Sequence, residues 1–153
     1  MKPKFWFAFA LSAVALLAGC SSPSAVAGDA PPVVLKSIAG TDRSQVTLTE
    51  ASQKRLGIET SPVREAKMVV DGGAPAIHKV VPYAAVVYDS SGSTWAYSVT
   101  PGTARSYVRT PIAVVTVTGD VAVLDAGPDV GTPVVVVGAP ELLGAEAQIA
   151  GEE

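Results

Sequence analysis

Short runs of alternating apolar and polar residues make up most of the second half of this chain, and they predict β-strands. Turn-forming residues separate these runs, so we expect sequential hairpins. Eleven valines between Val108 and Val137 favour β structure, because β-branched side chains suit a pleated surface. The predicted strands are 77–81, 83–88, 94–99, 106–117, 121–125 and 133–137.

The segment before these strands is predicted to contain both strand and helix. Residues 45–48 alternate as a short strand, and residues 49–57 predict two helical turns that Thr47 or Thr49 caps and Gly57 closes. Residues 58–63 resume an extended pattern, and residues 141–144 predict a closing helical turn before a frayed tail.

Within the predicted strand 94–99, the alternation puts Trp95, Tyr97 and Val99 on one face. Thr94, Ala96 and Ser98 lie on the other. We therefore expect one buried face and one that is wet or lightly packed.

An apolar run of 13 residues at the N-terminus follows Lys2 and Lys4 and ends at Leu17. It is too short to span a bilayer, and small residues follow it, as in a secretory signal. Residues 17–20, Leu-Ala-Gly-Cys, resemble the bacterial lipobox. That resemblance implies cleavage between Gly19 and Cys20 and lipid attachment to Cys20. The alternative is that Cys20 is an ordinary small residue of a plain secretory signal or of a buried helix.

The next segment, residues 21–43, is rich in Ser, Ala, Gly and Pro and has no sustained hydrophobic period. It predicts a flexible tether, although residues 33–35 could instead form a short strand docked on the domain. We therefore divide the chain into a signal peptide at 1–19, a lipidated tether at 20–44, a β-rich domain at 45–145 and a disordered tail at 146–153.

The charged residues add little to the predicted fold but bear on the class of partner. Without the signal peptide the chain has nine basic and fourteen acidic residues, a net charge of −5. The basic residues are scattered singly, so we expect no nucleic-acid partner.

Candidate chemistry is sparse. His78 is the only histidine and Cys20 the only cysteine. The chain therefore has too few of these ligands for the common zinc sites. Asp71, Asp89, Asp120 and Asp129 each lie singly in a predicted turn, and the G-x-S-x-G elbow of serine hydrolases is absent. We therefore expect no catalytic residue, no metal and no cofactor, and we expect that the protein is not an enzyme.

The large aromatic residues allow two interpretations. Trp95, Tyr97 and Tyr107 could form an aromatic binding surface on adjacent strands, or they could be the main anchors of the core. We favour the core, because burying such a side chain removes about 150–250 Å² from water and this domain has few other large residues.

Several stretches, taken in order, resemble the periplasmic adaptor subunits, or membrane fusion proteins, of RND-type efflux pumps. Residues 46–50 and 55–63 are similar to the strand, short helix and "GI-x-T-x-x-V" strand that open those proteins. Later stretches resemble the end of the adaptor β-barrel and the membrane-proximal β-domain. They are residues 81–86, 95–99, 107–112, 127–138 and 141–146.

This resemblance implies a mainly β fold, a small antiparallel β-barrel or β-roll with one short helix. The lipoyl halves and long α-hairpin of the adaptors would lie where residues 64–76 run, so the chain corresponds to a truncated form. The implied function is that of an accessory or assembly partner of an efflux or export complex. The implied partners are a membrane, through the lipid anchor, and an inner-membrane transporter.

We expect an exported protein, on the outer leaflet of the cell membrane or the periplasmic side of an envelope membrane. The alternative is a stand-alone ligand-binding lipoprotein of the cell envelope.

Overall fold

Antiparallel β-strands form most of the computed structural model, which describes residues 31–150. The mainly β fold class predicted from the sequence is confirmed. The strands are β1 (Val33–Ser37), β2 (Ser44–Leu48), β3 (Glu59–Pro62), β4 (Arg64–Met68), β5 (Ala76–Pro82), β6 (Val87–Tyr88), β7 (Thr94–Val99), β8 (Ser106–Pro111), β9 (Ala113–Thr118), β10 (Val121–Ala126) and β11 (Pro133–Val137). The helices are α1 (Glu50–Leu56) and α2 (Ala139–Ala150), and Tyr83–Ala85 form one turn of 3₁₀ helix.

The first sheet contains seven strands in the order β1-β2-β8-β7-β11-β3, with β6 paired to β7. Its register places Val33 opposite Leu48 and Val99 opposite Tyr107. The Leu48 amide donates to the Arg105 carbonyl at 2.9 Å. The start of β1 and the β7–β8 hairpin therefore lie at the same end of this sheet.

The second sheet contains four strands in the order β4-β5-β10-β9. Two of the four passages between the sheets are made by single buried residues, Val63 and Ile112. The Ile112 amide donates to the Thr94 carbonyl at 3.1 Å, whereas the preceding Pro111 has no amide hydrogen to donate. This crossing divides the predicted strand 106–117 into β8, in the first sheet, and β9, in the second.

Both faces of the first sheet are covered. Tyr97 and Val135 contribute to a core on the face that α2 covers, and their neighbours Ala96 and Val134 contribute to a core with side chains of the second sheet. Ala96 is completely buried, so the expectation of a wet or lightly packed face on strand 94–99 is wrong. The alternation pattern did not predict the burial of Ala96, because a small side chain gives no sign that a second sheet packs against it.

The two sheets are not closed into a barrel. Strands β1 and β3 end the first sheet, and β4 and β9 end the second. The expected barrel or roll is therefore correct only in its antiparallel, mainly β architecture. Helix α2 and the two sheets enclose two hydrophobic cores.

The segment around α1 confirms the expected helix signals. The Thr49 side chain accepts a hydrogen bond from the Ser52 amide at 3.2 Å and so caps the helix. Gly57 closes it with a φ of 62°, in the left-handed region that glycine adopts without strain.

Both predicted flexible segments contain regular structure. Within the predicted tether, residues 33–37 form β1, which pairs with β2 along its whole length, as the alternative strand interpretation proposed. The predicted tail from residue 146 belongs to α2 as far as Ala150. Burial of Leu142 and Glu146 against the first sheet stabilises a helix whose sequence alone predicts only one turn. The signal peptide, Gly19 and Cys20 lie outside the described residues.

Candidate functional site

The aromatic residues proposed as a binding surface lie mostly in the core. Tyr97 is fully buried and Tyr107 nearly so, both in the core that also contains Leu142 of α2. Trp95 is half-buried, and the Arg109 guanidinium lies 4.5 Å from the centre of its ring. The structure therefore places Tyr97 and Tyr107 in the structural role that we favoured, and leaves only part of Trp95 accessible.

A buried polar cluster fixes α2 to the first sheet. The Tyr97 hydroxyl donates to Glu146 Oε2 at 2.6 Å, and the Ser44 amide donates to Glu146 Oε1 at 3.1 Å. Arg109 Nε lies 3.4 Å from Glu146 Oε2 without hydrogen-bond geometry, so this contact is an ion pair. Burial, and then the hydrogen bond to Glu146, raise the pKa of Tyr97 well above its usual value.

We did not identify Glu146 as a structural residue from the sequence, because it lies in the segment that we predicted as a disordered tail. The spacing of Leu142 and Glu146 places them four residues apart on one helical face, which is the signal that could have found it. Its role in the described structure is to hold the fold together.

Asp89 organises the turn before β7. Its Oδ1 accepts from the Ser91 hydroxyl at 2.6 Å and its Oδ2 from the Trp95 indole at 2.8 Å. These hydrogen bonds, that of Ser91 first, lower the pKa of Asp89 to about 2. This agrees with the turn-forming role expected from the sequence.

His78 lies on β5, where it is half-buried opposite Ala66 of β4. Within residues 31–150, no three His, Cys, Asp or Glu side chains come together in a group that could hold a metal ion.

An open groove with a volume of about 660 Å³ lies at one end of the first sheet. The β7–β8 hairpin, residues 99–104, forms one wall, and residues 130–133, before and at the start of β11, form the other. None of these residues is charged, and Val130 is half exposed. This groove is the candidate binding site of the described domain.

The sequence predicted both walls of the groove as turns but not their association. The loop before β11 is held by Val63, whose amide donates to the Thr132 carbonyl and whose carbonyl accepts from the Gly131 amide, both at 2.9 Å. Strands β7 and β11 pair only at Ser98 and Val134. Such a short non-local contact leaves no periodic signal in the sequence.

The chain enters the domain at the end of the sheet that carries the groove. The Thr49 amide donates to the Pro32 carbonyl at 3.2 Å, which holds the start of β1 beside the end of β2. The end of β2 in turn contacts Arg105, next to the groove hairpin. Pro32, where the described chain enters β1, therefore lies on the groove side of the domain.

Neither α1 nor α2, the helices within residues 31–150, has the length and apolar character that a bilayer-spanning helix needs. No protein-family model and no curated protein matches this chain.

Proposed function

We propose that this chain is an exported lipoprotein, anchored through a lipid on Cys20, whose adaptor-like β domain is a non-enzymatic accessory or assembly partner of an efflux or export complex. One observation carries the proposal. The uncharged groove opens at the end of the first sheet where β1 begins, the end from which the chain leads back towards Cys20 in sequence.

The distance along the chain supports this geometry. Twelve residues, 21–32, connect Cys20 to the start of β1 at Val33. Even a fully extended chain of that length spans at most about 45 Å. A lipid on Cys20 would therefore keep the groove within reach of the parts of a membrane protein that project from the bilayer.

The lining of the groove indicates the kind of contact it makes. Its two walls offer Val, Pro, Ala, Gly and Thr side chains and no charge, which suits apolar side chains of a protein loop. In the adaptor family that the sequence resembles, the membrane-proximal domain contacts the inner-membrane pump. The partner class we propose is therefore an inner-membrane transporter component.

Site-specific photocrosslinking tests this proposal. A photoreactive residue at Ala104, in the groove hairpin, should capture a transporter component from intact membranes. The matched control is Ala39, an exposed alanine in the β1–β2 loop at the opposite end of the sheet. Equal capture at the two positions, or no transporter component at Ala104, would contradict the proposal.

The groove volume favours a second candidate, a stand-alone ligand-binding lipoprotein. About 660 Å³ lies within the range of small-molecule sites, and the lining suits an apolar compound. A ligand of this kind should raise the unfolding temperature of the parent chain but not of a Thr103→Trp variant, whose indole would fill the groove. Stabilisation of both proteins would place the ligand elsewhere.

A further inference from the structure

The β7–β8 hairpin, which forms one wall of the groove, contains two buried side-chain atoms without a hydrogen-bond partner among residues 31–150. They are Thr100 Oγ1 and Arg105 Nε. A buried polar atom without a partner is unfavourable and uncommon in a folded protein. Arg105 also has a φ of 59°, in the left-handed region that non-glycine residues rarely adopt. Unfavourable features of both kinds collect at functional sites, which singles out this hairpin.

Thr100 is the one of these two residues that lines the groove. Its backbone is held in place, because its amide donates to the Ser106 carbonyl at 2.8 Å and its carbonyl accepts from the Thr103 amide at 3.3 Å. Rotation about χ1 of a threonine exchanges the positions of its hydroxyl and methyl groups. Because the Thr100 hydroxyl has no hydrogen bond within the described domain to break, it can turn into the groove towards an occupant at small cost.

Thr47, on the neighbouring strand β2, differs from Thr100 in this respect. Its hydroxyl oxygen lies 2.8 Å from that of Ser106, and Ser106 is completely buried. Rotation of the Thr47 side chain would break this hydrogen bond and leave the Ser106 hydroxyl without its side-chain partner. The Thr47 hydroxyl therefore serves the fold, whereas the Thr100 hydroxyl is available to another molecule.

We propose that Thr100 determines which partner the groove accepts, by forming a hydrogen bond with an uncharged polar group of the occupant. The inference rests on the proposed function, since the occupant is the loop of a transporter component named there. Thr100 supplies specificity, because an occupant that lacks a matching group leaves the hydroxyl without a partner, and that mismatch opposes binding.

The lining of the groove determines the chemical class of that group. None of the lining residues is charged, so a carboxylate or an ammonium group would lose its hydration there without a counter-charge. An amide or a hydroxyl costs far less to bury when it gains a hydrogen bond. A threonine hydroxyl both donates and accepts, so either the N–H or the C=O of an amide satisfies it. The partner loop therefore presents an amide or a hydroxyl among its apolar side chains.

Thermal unfolding of the full chain tests whether the Thr100 hydroxyl serves the fold. Thr100→Val removes the hydroxyl and keeps the shape of the side chain, so this variant should unfold at or above the parent temperature. Thr47→Val is the matched comparison and should unfold at a lower temperature, because it leaves the buried Ser106 hydroxyl unpaired. A fall for Thr100→Val as large as that for Thr47→Val would overturn the inference.

Photocrosslinking from Ala104 measures the effect on the partner. Thr100→Val in the photoreactive chain should lower the yield of captured transporter component about fivefold, the effect of one lost hydrogen bond. Thr100→Ser should keep most of the yield, since it retains the hydroxyl. Thr118→Val is the control, because Thr118 is an exposed threonine of the second sheet, and it should leave the yield unchanged.

The outcomes separate this inference from the proposed function. Equal capture by the parent and by Thr100→Val would overturn the inference and leave the proposed function standing. Absence of a transporter component from the products of the parent would overturn both. A lower yield from a Thr100→Val chain that is as stable as the parent would support the inference, because misfolding could not explain it.

Discussion

The Tyr97 hydroxyl donates a 2.6 Å hydrogen bond to Glu146, which joins the first sheet to α2. The other carboxylate oxygen of Glu146 accepts from the Ser44 amide at the start of β2. One buried acidic side chain thus connects two strands and the C-terminal helix.

The Tyr97→Phe variant should lower the free energy of unfolding by about 1–3 kcal/mol, because it leaves a buried carboxylate oxygen with fewer hydrogen bonds. Urea denaturation followed by circular dichroism measures the loss. Glu141→Gln is the control, since Glu141 lies on the same helix but is exposed, and this variant should unfold near the parent midpoint. A Tyr97→Phe variant as stable as the parent would show that the contact contributes nothing.

Alkaline pH should destabilise the fold through the same tyrosine. The pKa of Tyr97 is raised above the usual value of 10 in the folded protein, chiefly by burial. Above about pH 10 the unfolded chain therefore loses this proton first, and stability falls as the pH rises. Urea midpoints measured from pH 8 to pH 11 should fall, and Tyr97→Phe should flatten the fall. Part of the slope should persist, because burial also raises the pKa of Tyr107. An identical slope in the parent and the variant would contradict this assignment.

Local patterns predicted much of the fold. The bounds of β7 and β11 match the predicted strands 94–99 and 133–137, and α1 has the expected cap and closing glycine. These elements depend on period and on turn chemistry, which neighbouring residues determine.

Features that depend on contacts between distant residues were not predicted. Helix α2 extends to Ala150 because Leu142 and Glu146 are buried against strands more than forty residues earlier in the chain. The groove likewise requires two turns that come together only through the pairing of β7 and β11. Neither relationship leaves a local pattern in the sequence.

Substitution of alanine for each of two glycines near α2 should change the stability of the fold in opposite directions. Gly138 has a φ of 87°, and a Cβ there would overlap the Ile58 side chain, so Gly138→Ala should destabilise the fold by about 1–3 kcal/mol. Gly144 lies inside α2 with open space around it, so Gly144→Ala should stabilise the fold by about 0.5–1 kcal/mol. Thermal unfolding of both variants beside the parent measures the difference, and a shift of the same sign in both would contradict it.

Lipid attachment at Cys20 is the prediction on which the membrane geometry depends. The thioether bond needs the Cys20 sulfur, so Cys20→Ala should abolish labelling with a radioactive or clickable fatty acid. Ser22→Ala, two residues away, is the control and should be labelled like the parent. The Cys20→Ala chain should also leave the membrane fraction, because stable anchoring requires the two acyl chains that a diacylglyceryl group supplies. Continued labelling of Cys20→Ala would overturn the lipoprotein assignment. Loss of label with full membrane retention would instead assign anchoring to the uncleaved N-terminal segment.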